Sequence, residues 1–322
     1  MAAMQSSKLR AAFFVFLGGI SYGAIAAIAK LAYAQGFTWS QVVVSQGFFA
    51  VVYFGIIVAT QLVRRSHVVK VGPKQVAKLL LLGCFTCTTA IFYYFSLTML
   101  PASIAITLLF QFTWIGMVLQ VITTRRPPSA SEVAAIVLIF AGTLFASGFL
   151  SSSFGGSINF AEFNPLGIAC GLISALSCAL FLFFSGRFET TMPPMQRGFI
   201  TCCGTLLLGL CVCPSYFTSG VLLQGILPFG MALGLFGLFF PVLLFGLGAP
   251  HLPAGVSTIM ASSELPASVV LALILLQEHV DILQIIGIIV ILAGVIVSQA
   301  PNLFPRKPPH TVTAAQRRNK EH

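Results

Sequence analysis

Apolar residues run along this chain in blocks of about twenty or more, separated by short polar or basic interruptions. A helix needs about 20 such residues to cross the hydrocarbon core of a bilayer. Ten blocks qualify, at 11–33, 40–63, 75–99, 101–123, 131–150, 164–187, 195–217, 222–249, 253–277 and 281–300. The pattern therefore predicts an all-α polytopic membrane protein with ten transmembrane helices. The links at Leu100 and at 249–252 are so short that they predict tight turns between antiparallel neighbours, and Pro101 and Pro253 fall where proline is best tolerated, in the first turn of a helix.

Composition agrees. The 322 residues are 57% hydrophobic and only 7% charged, with a mean hydropathy of +0.99, against about 25% charged in a soluble domain. No soluble fold of this length hides so much apolar surface, so lipid is the solvent. The 30 Phe and 29 Gly fit this, since glycine is enriched in membrane helices. All eight cysteines lie inside apolar blocks, Cys84/Cys87 and Cys211/Cys213 among them, and are expected to pack as small polarizable residues rather than to bind metal.

The net charge of +10 would suggest nucleic acid in a soluble protein; here its placement sets orientation instead, and no nucleic-acid partner is expected. If the N-terminus is cytoplasmic, that side receives Lys8, Arg10, Arg64, Arg65, Lys70, Lys74, Lys78, Arg125, Arg126, Arg187, Arg197 and the basic tail, which is 16 of the 17 Lys and Arg residues. The opposite loops carry Glu162, Glu278 and Asp281 instead. The positive-inside rule then places both termini in the cytoplasm. Lys8 and Arg10 precede an apolar run longer than a signal h-region and without a convincing cleavage site, so no cleavable signal is expected.

The chain also repeats itself. At an offset of 152 residues, "PASIAITLLFQFTWIGMVLQVI" (101–122) lies over "PAGVSTIMASSELPASVVLALI" (253–274), and "IVLIFAG" (136–142) over "IIVILAG" (288–294), without a gap. Each copy holds five helices, an odd number, so the second is inverted relative to the first; Arg125–Arg126 at one end corresponds to the acidic "QEHVD" (277–281) at the other. Inverted repeats are a transporter design, with the substrate site at the midplane between halves. The expected organisation is a cytoplasmic N-terminus (1–10), a first five-helix repeat (11–150), an external linker (151–163), a second repeat (164–300) and a basic cytoplasmic tail (301–322).

Two five-helix units, a Pro-Ala entry into helices 4 and 9, and a closing Ala-Gly in helices 5 ("FAG") and 10 ("LAG") resemble the drug/metabolite transporter superfamily, in its EamA branch; "SSELPASVVLALILLQEHVDILQIIGIIVILAG" (262–294) carries most of the likeness. In the first repeat "FQFTW" (110–114) lacks the proline found at 266. The resemblance implies a secondary transporter of a small organic metabolite, with export as the family's usual direction.

Glu264 is the candidate that draws most attention, an acidic residue about halfway along helix 9. Ser257, Ala261, Glu264 and Ser268 share a small, polar helix face, which turns the carboxylate toward the bundle. An intramembrane ionisable group is a functional-site hypothesis by default, here for substrate binding or proton coupling; a structural hydrogen-bonding role is the competing reading. Pro266 cannot donate to the carbonyl of Ser262 and should loosen the helix, with the Ser262 and Ser263 hydroxyls compensating. In helix 4, Ser103, Thr107, Gln111 and Trp114 form a polar-aromatic stripe, and Gln111 falls at the position of Ser263. Tyr22, Gln46 and Tyr94 complete the candidate substrate-binding set, with Ser21 and Tyr93 beside them; each alone also suits interhelical hydrogen bonding. Gly19 and Gly23 read as a close-packing pair, and Lys30 as a snorkelling residue or a counter-charge for an anion.

No phosphate-binding loop, serine elbow, kinase motif or metal-ligand spacing is visible, so neither an ATP-driven pump nor an enzyme is expected, and no cofactor. The reading is alternating-access transport of a small molecule such as an amino acid, with protons as a candidate coupling ion, in the cell membrane. An uptake permease or facilitator, a polytopic membrane enzyme and a lipid flippase stay open as alternatives, as do monomer and homodimer. Reporters fused after Arg64, Arg125 or Arg187 should be cytoplasmic and one near Gly156 external. A cytoplasmic reporter at Gly156 would overturn the inversion, because that loop joins the halves.

Overall fold

The computed structural model describes residues 2–64, 69–100, 102–146, 164–276 and 282–303. These form α1 (Ala2–Ala34), α2 (Trp39–Val63), α3 (Pro73–Leu97), α4 (Ala102–Leu109), α5 (Phe112–Thr124), α6 (Ala130–Ala146), α7 (Pro165–Ser185), α8 (Pro194–Val212), α9 (Leu227–Gly234), α10 (Phe240–Gly248), α11 (Ala254–Ala261), α12 (Glu264–Leu276) and α13 (Ile282–Leu303). Eight stretches are long and apolar enough to span a membrane, and 130–146 and 282–298 are shorter apolar helices. The protein is all-helical and polytopic, and ten helical rods correspond to the ten apolar blocks. The first rod is helical from Ala2, so helix runs through the segment assigned to a separate N-terminus. The linker around Gly156 and the tail lie outside the described residues.

Three rods depart from the expected single helices. The fourth is broken at Phe110–Gln111 into α4 and α5, and the ninth at Ser262–Ser263 into α11 and α12. The two breaks are separated by the same 152 residues as the sequence repeat. Proline is not their common cause, because only the second has one nearby. Beside Pro266 the carbonyl of Ser262 accepts from the amide of Leu265 at 3.3 Å, whereas the Ser262 hydroxyl bonds to the Thr258 carbonyl at 3.1 Å; the expected hydroxyl compensation is not how the break is satisfied. The eighth rod contains a π-helical turn, Leu235–Phe239, between α9 and α10, where the Phe240 amide donates to the Leu235 carbonyl. Pro241 lacks the amide that would bond the carbonyl of Gly237. The carbonyls this turn releases are taken from outside: Ser21 Oγ donates to Phe236 O at 2.7 Å and Gln46 Nε2 to Gly237 O at 3.0 Å.

Packing repeats with the same pseudo-symmetry. α3 lies on α7 as the eighth rod lies on α1; α5 lies on α7 as α12 lies on α1; α6 and α13, which correspond, pack on each other. At that last contact a Cβ on Gly142 would meet Ile291 Cγ1 at 2.7 Å and Gly287 O at 2.8 Å, and one on Gly294 would meet Ile139 Cγ1 and Ala135 O, each at 3.0 Å. Ile291 and Ile139, and likewise Gly287 and Ala135, are themselves offset by 152. The two glycines of "FAG" (140–142) and "LAG" (292–294) therefore play one role twice, letting backbones approach where lipid offers no hydrophobic drive to pack.

The ends of the rods sort as the charge pattern requires. Glu189, in the turn after α7, accepts from Gln75 Nε2 at 2.8 Å and pairs with Lys78 Nζ at 3.2 Å, so the start of α3 and the end of α7 share one face. The hydrogen bond from Gln75, then that from Lys78, holds the Glu189 carboxyl below the usual carboxylate range. Gln196, at the start of α8, bonds the backbone of Val69 on the same face, at 3.1 and 2.8 Å. Arg197 is buried there, donating to Gly246 O at 3.0 Å and to Ser185 O. These carbonyls close α10 and α7, whose C-terminal dipole ends favour a cation. We call this face the basic end.

Gly142→Val and Gly294→Val should each destabilise the purified protein by about 1–3 kcal/mol, the usual range for overpacking. Thermal melts in detergent would show it; a Tm unchanged in both would mean that the close contact between α6 and α13 does not hold the repeats together.

Candidate functional site

Glu264 is the first residue of α12, immediately after the break in the ninth rod. Its carboxylate has no hydrogen-bond or ion-pair partner among the described residues, and it faces a cavity of about 60 Å³ between the halves. Tyr22 from α1, Gln46 from α2, Tyr93 and Tyr94 from α3, and Cys178 and Phe181 from α7 line the same space. Such a volume holds a few waters or a small polar head group. Gln46 spends its amide nitrogen on the π-helical turn, while its Oε1 is buried without a partner. The cavity thus presents acceptors, the Glu264 carboxylate and Gln46 Oε1, among the rings and unpaired hydroxyls of three tyrosines.

The backbone beside Glu264 is positioned by α1. A Cβ on Gly19 would strike Ser263 Oγ and lie 2.6 Å from Ala261 O; one on Gly23 would lie 2.6 Å from Ala267 Cβ and 2.8 Å from Glu264 O. Ser263 Oγ donates to Phe16 O at 2.7 Å, tying the broken turn to α1. Only helices in backbone contact allow this, and only a break enclosed by protein can leave its polar groups off the helical ladder inside a membrane.

Of the residues singled out from the sequence, Glu264, Tyr22, Gln46 and Tyr94 meet in this cavity, with Tyr93. Ser263 does not line it; its hydroxyl is committed to α1. The stripe on the fourth rod also lies elsewhere: Gln111 Nε2 donates to Thr107 O at 2.9 Å and Gln111 Oε1 accepts from Trp114 Nε1 at 2.7 Å, with Trp114 43% exposed on the outer surface. The break at Phe110–Gln111 re-aims this face, which uniform helical spacing could not show. The Ser103 side chain lies outside the described ones. Thr86, Thr89 and Cys178 line the cavity without having been singled out for it; a Thr or Cys in a membrane helix reads as packing until its neighbours are known.

Two further cavities lie toward the ends. Away from the basic end, Lys30, Tyr33, Trp39, Tyr94, Leu97 and Thr98 surround about 300 Å³, and Tyr94 lines both this space and the Glu264 cavity. At the basic end a space of about 490 Å³ shares no lining residue with the Glu264 cavity. Between them α5 meets α11: Thr258 Oγ1 donates to Thr113 O at 3.2 Å, the Gly255 amide donates to Gln120 Oε1 at 2.8 Å, and a Cβ on Gly116 would clash with Thr258. The symmetry-related pair, α4 and α12, has no comparable packing. Among the described residues, then, the halves meet through α5 and α11 at the basic end and not through α4 and α12 at the other.

Among the described residues no cluster of three or more His, Cys, Asp or Glu could hold a metal. Residues 165–299, essentially the second five-helix unit, match the EamA-like transporter family. No curated protein matches. A solved structure described only as "Crystal structure of protein" superposes with a TM-score of 0.68 at 17% identity, over 94% of this chain and 99% of the other, a likeness of fold.

Gly19→Leu or Gly23→Leu should sharply reduce the folded protein recovered in detergent, since both positions abut backbone. Unchanged yield and thermal stability would mean that α1 does not depend on the ninth rod at this point.

Proposed function

We propose that this EamA-type membrane transporter of the drug/metabolite transporter superfamily moves a small amine-bearing organic metabolite, such as an amino acid, by alternating access, with Glu264 taking either the substrate ammonium group or a proton. The observation that carries the reading is the unpartnered Glu264 carboxylate in a cavity walled by Tyr22, Tyr93, Tyr94 and the free oxygen of Gln46. A cation is what such a set favours: tyrosine faces attract it through the ring quadrupole, and the carboxylate and amide oxygen accept its hydrogens. Apart from the Cys178 thiol, the polar groups of the cavity are acceptors and hydroxyls suited to holding a cation, which favours transport over catalysis.

The side follows from charge, and export from the family resemblance. The basic end is taken as cytoplasmic by the positive-inside rule, which puts both termini inside a cell membrane and leaves 151–163 as the external linker between repeats 11–150 and 164–300. The present shape, closed at the basic end and parted at the other, is then the outward-facing one. Occupancy of Glu264 drives the cycle only if the proton or ammonium binds the two shapes with different affinity. Export of the metabolite against proton entry uses one carboxylate for both in turn.

Glu264→Gln keeps the shape and removes the titration. In proteoliposomes loaded with a mixture of amino acids, this variant should fold and insert normally but lose the dependence of flux on pH, while exchange at fixed pH survives. Wild-type pH dependence and substrate affinity in the variant would make the carboxylate structural. Flux that follows the substrate gradient alone in the wild type would favour a facilitator.

A further inference from the structure

The cavity of about 490 Å³ at the basic end has a chemistry opposite to that around Glu264. Arg126 and Arg187 line it from the loop after α5 and the turn after α7, and the start of α11, at Pro253 and Ala254, adds the positive end of a helix dipole. Arg126 makes no hydrogen bond or ion pair among the described residues. Arg187 spends Nη1 on Phe183 O at 3.1 Å and lies 3.6 Å from the centroid of the Phe183 ring, which fixes its plane and leaves its other nitrogens to a ligand. Ser257, on the first turns of α11, is 1% exposed, lines the same cavity and has a hydroxyl without a partner.

The one carboxylate in the lining, Glu132, is already engaged. Its Oε2 accepts from the Ser129 amide at 2.7 Å and the Ser129 hydroxyl at 2.9 Å, capping α6, and its Oε1 accepts from Gln120 at 3.3 Å. Two guanidinium groups against one capped carboxylate leave the cavity net positive, with an orphan hydroxyl in its wall. Such a set recognises an oxyanion, with arginine able to bind carboxylate or phosphate by two parallel N–H donors.

We infer that this cavity is an oxyanion site at the basic mouth, formed by Arg126, Arg187 and Ser257, which holds the carboxylate or phosphate group of a small molecule below the closed contact of α5 and α11. Its role as a loading site rests on the transport reading; the binding itself does not. With Glu264 placed for an ammonium group beyond that contact, the pair of sites fits a metabolite carrying both charges, met by its anionic end first. A phospholipid headgroup offers the same chemistry from another source.

The full chain in phosphatidylcholine nanodiscs, titrated with sodium phosphate against sodium chloride at equal ionic strength, tests the site. A saturable rise in Tm is expected, with at least tenfold more phosphate needed for half the effect in Arg126→Gln and a weaker response in Ser257→Ala. Arg126 is exposed and makes no hydrogen bond or ion pair among the described residues, so its variant should fold normally. Discs containing phosphatidylglycerol separate the sources: a Tm already raised and unresponsive to phosphate identifies the headgroup as occupant, and a retained response identifies a soluble oxyanion. No saturable rise in phosphatidylcholine discs, or the same curve in Arg126→Gln and wild type, overturns the site. Glu264→Gln should keep the full phosphate response, so failure here and failure of the Glu264 reading are told apart.

Discussion

The backbone contact between α1 and the broken ninth rod is the constraint on which the rest depends. A helix interrupted inside a bilayer leaves amides and carbonyls without water to bond, so the interruption survives only under a protein cover. α1 supplies that cover because Gly19 and Gly23 carry no side chain to hold it off. Once it is that close, Phe16 O can accept the Ser263 hydroxyl, and Ser21 on the same helix reaches the carbonyl released by the π-helical turn of the eighth rod. Two irregular helices are thus tied to one straight one. Glu264 stands at the new N-terminus created by the break, where the helix dipole favours negative charge.

The scaffold is symmetric and the present shape is not. Gly142 and Gly294 make equivalent contacts, and both the fourth and ninth rods break at equivalent places. Yet α5 closes on α11 at the basic end through Gly116, Thr258 and Gln120, while α4 and α12 stay apart. Two copies of one backbone in two arrangements are what an inverted repeat permits, since each copy can adopt the shape the other has now. The closing contact uses small residues and single hydrogen bonds.

Much of this was legible beforehand because lipid simplifies the reading. Length of apolar run gives the rods, and the 152-residue offset lines up the two helix breaks, each from a constraint that acts on sequence directly. The carboxylate and its tyrosine and glutamine neighbours were found because a polar residue inside a membrane is conspicuous wherever it sits. What was not legible was orientation past a break. Gln111 still bonds Thr107 and Trp114 across the break, but nothing in "LLFQFTW" (108–114) announces, without proline or glycine, that the helix is interrupted at Phe110 and that this stripe lies away from the cavity. The π-helical turn was hidden in the same way: Pro241 is visible, but which side chains collect the freed carbonyls depends on helices far off in sequence.

One chemical difference between the repeats at their breaks sets the two apart in charge. Position 264 corresponds to Phe112, which is buried and packs against Phe110 with ring centroids 5.5 Å apart. The first repeat therefore fills with hydrocarbon the place where the second puts a carboxylate. A symmetric pair of carboxylates facing each other at mid-membrane would repel and hold protons jointly; with Phe112 at the corresponding position, Glu264 has no such counterpart. The backbone break is thus repeated in both halves, and the carboxylate beside it is carried by only one of them.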